Sequence, residues 1–137
     1  MKSLDEIKNF IYEAGTKIGL KNDSNLYPVF SLNNTAFSDG ATIYITNNEY
    51  HYVVTERGKI NKHIKSCEID DILYPLFESI TFNIACKYEL EHRKADKDSR
   101  RLIWKKQLEL LETINPQFKD SCQADIEKIL KIAPYRD

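Results

Sequence analysis

A long stretch of helical periodicity in the second half of the chain constrains the fold more than any other feature. Apolar residues recur every three or four positions, and a second, mostly polar stripe lies on the opposite side of the same helix. The apolar stripe is Ile69, Leu73, Leu76, Ile80 and Ile84, and the opposite stripe is Asp71, Tyr74, Glu78, Thr81, Ala85, Glu89 and His92. A helix that is polar on one side only must bury the other side. We therefore predict a helix over about Ile69–Lys94 that packs against the remainder of the fold.

Alternating sequences before this helix indicate a small sheet. Three segments, Ala41–Thr46, Tyr50–Arg57 and Ile60–Cys67, alternate in polarity and are separated by turn-forming residues. We expect an antiparallel meander with one face against helices and the other in water. Upstream, residues 20–40 are rich in Asn, Ser and Asp. A short edge strand around Val29–Leu32 stays open there as an alternative.

Capping signals and periodicity mark the other helices. Ser3 and Glu6 have the S-x-x-E spacing of a capping box, at the start of a helix over about Leu4–Ile18. Near the C-terminus, periodicity predicts helices over Ser99–Thr113 and Pro116–Ile132. The predicted fold class is α+β: an N-terminal helix, a three-stranded antiparallel meander and then three C-terminal helices. We expect a single domain over residues 1–137.

The charge balance and the cysteines restrict the compartment and the partners. The 137 residues carry 20 Lys and Arg against 21 Asp and Glu, so no net field gathers nucleic acid or anionic lipid. The three cysteines are widely spaced and form no C-x-x-C pair, which is typical of free thiols in a reducing compartment. No segment has the apolar run of a signal peptide or a membrane span. We expect a cytoplasmic protein without membrane contact.

The residues that metal sites and enzymes need are scattered along the chain. His51, His63 and His92 are isolated in sequence, with no H-x-x-x-H or C-x-x-C spacing. Glu78 and Glu89 return to one helix face, but the helical rise separates them by about 16 Å, too far for a pair of catalytic carboxylates. No G-x-S-x-G or G-x-G motif occurs. We expect no enzyme activity, no metal and no cofactor.

A local excess of positive charge supports two alternatives. The segment Arg93–Lys106 has seven basic residues against two acidic ones, and Trp104 lies among them. Such a face could bind nucleic acid, with the indole as a stacking platform, although Trp104 is in phase with Leu108 and Leu111 as a core residue would be. The other alternative is a small enzyme with a site between sheet and helices, which requires convergent titratable groups in a deep pocket.

Three segments of the chain, in order, resemble a known family. They are Tyr50–Gly58, which reads YHYVVTERG, then Asp70–Arg93, and then Arg100–Leu111 with its Trp104. In their residues and in their order along the chain, they are similar to a family of bacterial polymorphic-toxin immunity proteins, the one numbered sixty-three. The resemblance implies a small protein whose partner is a cognate toxin domain, which it neutralises by stoichiometric binding. Pro75 departs from the pattern, because an ordinary helix former is expected there.

An acidic stripe among aromatic rings is the surface that we predict to contact the toxin. Many toxins opposed by such proteins have basic substrate clefts, and acids placed this way would mimic the substrate and speed encounter. The predicted partner-binding residues are Asp71, Tyr74, Glu78, Glu89 and His92 on the helix, with Tyr50, Tyr52 and Glu56 on the sheet. An ordinary solvated helix face is the alternative for the acidic row. The core assignments are Phe77, Ile80, Phe82, Ile84 and Trp104.

Overall fold

The computed structural model describes residues 1–32 and 39–137. In chain order the elements are α1 (Leu4–Lys17), β1 (Val29–Phe30), β2 (Gly40–Thr46), β3 (Glu49–Glu56), β4 (Lys59–Ser66), α2 (Asp70–Glu91), α3 (Ser99–Ile114) and α4 (Pro116–Ile132). The α+β class and the order helix, strands, helices are confirmed. Of the connection predicted over residues 20–40, positions 33–38 lie outside the described residues.

The sheet differs from the predicted three-stranded antiparallel meander, which is wrong in strand number and in one strand direction. Within the described residues the sheet has four strands in the order β1-β2-β3-β4. Strands β2, β3 and β4 pair antiparallel, whereas β1 pairs parallel with β2, placing Val29 opposite Thr42 and Phe30 opposite Ile43. β1 is the edge strand that stayed open as an alternative. Two residues are too few to show an alternating pattern, so local sequence does not reveal this strand.

Two tight turns fix the register of the antiparallel strands. Asn47 and Asn48, with φ of 52° and 60°, connect β2 to β3, and Arg57 and Gly58, with φ of 53° and 78°, connect β3 to β4. Positive φ at both central residues is the type I′ pattern of two-residue hairpins. The resulting register places Tyr44 of β2 directly opposite His51 of β3. Tyr44 and His51, which are not adjacent in the sequence, thus become neighbours on one face of the sheet.

The chain forms two compact units, Met1–Leu76 and Phe77–Asp137, and the boundary falls inside α2. A single domain over residues 1–137 stays a prediction. In the first unit, α1 begins at the predicted capping box, in which Ser3 and Glu6 each accept a hydrogen bond from the backbone N–H of the other. The buried apolar side chains of this unit are Ile7, Ile11, Ala14, Tyr27, Ile43, Tyr44, Tyr50, Tyr52, Val53, Ile72, Leu73 and Leu76.

Strand β3 is buried on both faces. Its central residues Tyr50, His51, Tyr52, Val53 and Thr55 are all at most 7% exposed, although successive side chains point to opposite faces. Strand β4 is mostly exposed. The expectation that one face of the sheet is wet is therefore wrong for β3. His and Thr on its second face have the polarity of solvent-facing residues, so the alternation did not reveal their burial.

In the second unit, α3 and α4 meet at a single capping residue. Asn115 ends α3 and begins α4, where its Oδ1 accepts a hydrogen bond from the Gln117 N–H at 2.9 Å. Pro116 occupies the first helical position, which needs no backbone donor. The buried apolar side chains of this unit are Phe77, Ile80, Ala85, Trp104, Leu110, Leu111, Phe118, Cys122 and Ile126.

Three of the five core assignments made from the sequence are correct. Phe77, Ile80 and Trp104 are buried, and Ile84 is half-buried. Phe82 is 45% exposed, so its assignment to the core is wrong. Among the residues that the structure describes, no helix has the length and apolarity needed to cross a membrane.

Candidate functional site

The eight side chains predicted to contact a partner divide into two groups by exposure. Those that are exposed or half-buried are Glu56, Asp71, Tyr74, Glu78 and His92. Those that are buried, at 3%, 2% and 3% exposure, are Tyr50, Tyr52 and Glu89. A buried side chain contacts a partner only if the fold opens, so the first group alone offers surface. Glu78, Glu89 and His92 belong to the second unit, and the other five residues belong to the first.

Of the residues predicted to contact a partner, the exposed acids Asp71 and Glu56 of the first unit are held by local hydrogen bonds. Asp71 Oδ2 accepts a hydrogen bond from Ser66 Oγ at 2.6 Å, and the same hydroxyl accepts one from the Glu68 N–H at 3.0 Å. This chain of contacts ties the end of β4 to the start of α2. Glu56 accepts a hydrogen bond from Asn61 Nδ2 at 2.9 Å, across the β3–β4 turn. Both carboxylates are therefore oriented while remaining accessible.

The mostly polar stripe of α2 was predicted to lie on the surface. In the second unit, part of this stripe is buried. Thr81 and Ala85 are both 0% exposed. Gln107 of α3, itself buried, donates from Nε2 to the Glu78 carbonyl oxygen at 3.1 Å and to Thr81 Oγ1 at 3.4 Å. The Thr81 hydroxyl in turn donates to the Phe77 carbonyl oxygen at 2.7 Å, so the buried polar side chains at this contact are hydrogen-bonded, as buried polar groups must be. The polarity of these residues in the sequence does not distinguish a buried hydrogen-bond network from a solvent-exposed helix face.

Glu89 is buried as one half of an ion pair. Its carboxylate accepts two hydrogen bonds from Arg93, from Nε at 3.1 Å and from Nη2 at 2.8 Å, and these hold the pKa of Glu89 below its usual range. In this i,i+4 pair the acid is on the inner side, and the base is 57% exposed along the side chain. One turn away, the exposed His92 ring stacks on Tyr88 with centroids 4.1 Å apart.

A polar cluster on the second face of the sheet was not foreseen from the sequence. It consists of Tyr44, Thr46, His51 and His63, and we call it the sheet histidine cluster. The Tyr44 ring stacks on the His51 ring with centroids 4.3 Å apart. His51 Nδ1 lies 2.9 Å from His63 Nε2, and His51 Nε2 lies 2.9 Å from Thr46 Oγ1. Tyr44 Oη lies 3.3 Å from the same His63 nitrogen.

These three contacts join both histidine rings to Tyr44 and Thr46, and the tautomer of each ring sets which atoms donate. Burial, together with the neighbouring His63, lowers the pKa of His51, which favours its neutral form. Over residues 1–32 and 39–137, no group of three or more His, Cys, Asp or Glu is placed to hold a metal ion. The cluster is a hydrogen-bond network around the His51 ring.

The basic segment Arg93–Lys106 is partly neutralised by nearby acids. Its ion pairs are Arg93 with Glu89, Arg100 with Asp98 and Arg101 with Asp137. A surface that follows a nucleic-acid backbone exchanges its counterions for phosphates, which requires cations that are not already paired. The pairing of these three arginines gives the nucleic-acid alternative less support than the sequence does.

Asp98 organises the start of α3. Its carboxylate accepts hydrogen bonds from the Arg100 N–H at 3.0 Å and from the Arg136 N–H at 3.0 Å. It also pairs with the Arg100 guanidinium, and these contacts hold the pKa of Asp98 well below its usual range. From the C-terminal tail, Asp137 Oδ1 accepts a hydrogen bond from the Asp98 N–H at 2.6 Å, and Oδ2 accepts one from Arg101 Nε. The tail is therefore fastened to the first turn of α3.

A cavity of about 200 Å³ lies where the chain leaves α2 and enters α3, and we call it the α3 pocket. The charged residues of its lining are Glu89, Lys94, Lys97, Asp98, Arg101 and Lys105. All of them belong to the second unit. The sequence showed the positive charge of this segment but gave no sign that it surrounds a cavity, because the cavity depends on how the loop at 92–98 folds.

The sequence profile of the family described as Immunity protein 63 matches residues 47–128. The match covers more than half of the chain, which belongs to this family. It includes all eight residues predicted to contact a partner and the whole lining of the α3 pocket. No curated protein and no solved structure is significantly similar to the chain.

Proposed function

We propose that this chain is the immunity partner of a bacterial polymorphic toxin and neutralises the toxin domain by binding it one to one in the cytoplasm. The observation that carries the proposal is the family match over residues 47–128. Inhibition of this kind works by occupancy, so it requires a surface and an affinity but no catalytic group. The predicted absence of enzyme activity is consistent with that mechanism.

The affinity that this task demands sets the size of the interface. Protection inside the cell that makes the toxin requires a nanomolar or tighter complex, about 12 kcal/mol of binding free energy. An interface of about 800 Å² per partner supplies this when a few anchor residues are well buried in the complex. A protein of 137 residues has surface enough for one such contact.

The accessible part of the predicted surface provides candidate anchors in both units. They are Glu56, Asp71, Tyr74, Glu78 and His92, which are exposed or half-buried. In this proposal the acids face a basic cleft of the toxin, and the rings add apolar contact. Tyr50, Tyr52 and Glu89 are buried and are therefore not candidate anchors.

Co-expression of the chain with the toxin domain encoded beside its gene tests the proposal. We expect growth to be rescued and the two proteins to purify together in a 1:1 complex. Alanine substitution at one or more of the five candidate anchors should then cost at least about 1 kcal/mol of binding free energy. Glu127→Ala, at an exposed acid of α4, is the matched control and should leave the affinity unchanged.

This experiment distinguishes an error in the proposed function from an error in the assigned surface. If the wild-type chain neither rescues growth nor binds the toxin domain, the assigned function is wrong. If the chain binds and all five alanine variants bind as tightly as the control, the function stands and the assigned surface is wrong.

A further inference from the structure

The α3 pocket carries an excess of positive charge around a concave surface. Its lining has four cationic side chains against two acidic ones. Both acids are already engaged by arginines from outside the lining, because Arg93 bridges Glu89 and Arg100 bridges Asp98. The lining lysines are Lys94, Lys97 and Lys105, and all three are exposed. The charge left to act on a ligand is therefore positive.

The chain itself shows how a carboxylate binds at the edge of this pocket. Asp137 from the C-terminal tail accepts one hydrogen bond from the Asp98 backbone N–H and another from the Arg101 guanidinium, and both donors belong to lining residues. A backbone donor beside a guanidinium is a strong arrangement for an anionic oxygen. The Arg101 guanidinium also lies over the Tyr135 ring, 4.0 Å from its centroid. These two donors are occupied by Asp137, so the carboxylates of a partner would meet the lining lysines instead.

We propose that the α3 pocket is the docking site for an acidic segment of the cognate toxin, with Lys94, Lys97 and Lys105 receiving its carboxylates. This inference rests on the proposed function and names a second contact that the predicted acidic anchors do not supply. Charges of both signs on one interface fix the register of a complex and exclude wrong partners. A cavity of about 200 Å³ accommodates side chains of a peptide segment.

The pairing of the arginines around the α3 pocket favours an acidic protein segment over nucleic acid as its ligand. Arg93, Arg100 and Arg101 are already paired with Glu89, Asp98 and Asp137, which leaves the three lining lysines to contact the successive phosphates of a nucleic-acid backbone. Counterion release, which supplies most non-specific affinity for nucleic acid, is weak at such a surface. A carboxylate-bearing side chain needs only one local positive site, which this pocket offers.

Charge reversal of two loop lysines tests the docking site. The variant Lys94→Glu/Lys97→Glu changes exposed positions in the connection between α2 and α3, and Lys128→Glu/Lys131→Glu on α4 is the control with the same change in net charge. We expect the pocket variant to weaken the Kd for the toxin domain by about 100-fold, the scale of buried interfacial charge pairs, and the control by less than about threefold. A pocket variant that binds as tightly as the control overturns the inference. Failure of the wild-type chain to bind the toxin points instead to the proposed function.

A second measurement decides the question without the toxin. Amide NMR spectra of the full chain are recorded during titration with a hexaglutamate peptide, a hexalysine peptide and a single-stranded oligonucleotide. We expect hexaglutamate to shift the signals of Lys97, Asp98 and Ser99 saturably, and hexalysine to leave them unchanged. The inference is overturned if hexaglutamate shifts no pocket signal, or if the oligonucleotide binds the same residues more tightly than the peptide.

Discussion

At the scale of single residues, Gly15 in α1 has a packing role that its position in a helix conceals. The Tyr27 side chain lies directly on it, so that a Cβ at Gly15 would come within 2.6 Å of Tyr27 Cζ. Tyr27 is 7% exposed and stacks on Tyr12 of the same helix, with ring centroids 4.1 Å apart. The absence of a side chain at Gly15 therefore allows the connection after α1 to pack closely against the helix.

The substitution Gly15→Ala should destabilise the protein, although alanine is the better helix former. The gain in helix propensity is about 1 kcal/mol, and overpacking against the buried ring costs about 1 to 3 kcal/mol. We expect a net loss of about 1 kcal/mol in the free energy of unfolding, measured with urea. In a Tyr27→Ala background the clash is absent, and Gly15→Ala should stabilise. A stabilising effect in the wild-type background would contradict this account.

The sheet histidine cluster predicts a pH dependence of stability. The pKa of His51 is lowered in the fold by burial and by His63, so the unfolded chain binds a proton at this position more readily than the native one. Stability contributed by neutral His51 is therefore present above the ordinary histidine pKa of about 6.5 and is lost as the pH falls below it. The predicted observation is a fall in the urea midpoint of unfolding between about pH 7 and pH 5.

Two glutamine variants distinguish the contribution of His51 to the pH dependence of stability from the contributions of other titrating groups. His51→Gln removes the titration, so the fall of the urea midpoint with pH should become shallower. His92→Gln changes an exposed ring outside the cluster and should leave the slope of the wild-type protein intact. An unchanged slope in His51→Gln would show that the cluster does not control the acid sensitivity.

At the scale of elements, local signals were read from the sequence correctly and non-local ones were not. The predicted span of α4 agrees with the structure at both ends, because Asn115 and Pro116 mark its start within two residues of sequence. The burial of Glu89 and the contact between His51 and His63 depend on residues brought together by folding. Nothing in the nearby sequence distinguishes them from solvated polar residues.

The contact between α2 and α3 predicts an energetic coupling. Gln107→Leu and Thr81→Val each remove one partner of the buried hydrogen bond, and each should cost about 1 kcal/mol of unfolding free energy. The double variant should cost less than the sum by about 0.5 kcal/mol or more, because contacting residues couple. Gln123→Leu, at an exposed position of α4, is the control and should change stability by less than about 0.5 kcal/mol. Strict additivity of the two buried substitutions would contradict the coupling.

At the scale of the whole molecule, the sequence supported the class of fold and the family but not the details of the surface. The order of helix, strands and helices follows from periodicity, and the resemblance over Tyr50–Gly58 and the later segments is confirmed by the family match. The predicted partner surface was placed on a face of α2 on which Thr81, Ala85 and Glu89 are buried. The α3 pocket depends on the course of a loop, for which periodicity gives no information.

The central claim is that the chain silences a toxin by forming a tight one-to-one complex. The most direct measurement is a titration of the purified toxin domain with the purified chain, in which the remaining toxin activity is followed as a function of molar ratio. At toxin concentrations well above a nanomolar Kd, the account predicts a linear loss of activity that ends at a ratio of one. Full activity in the presence of excess chain, or complete inactivation by a small fraction of an equivalent, would contradict it.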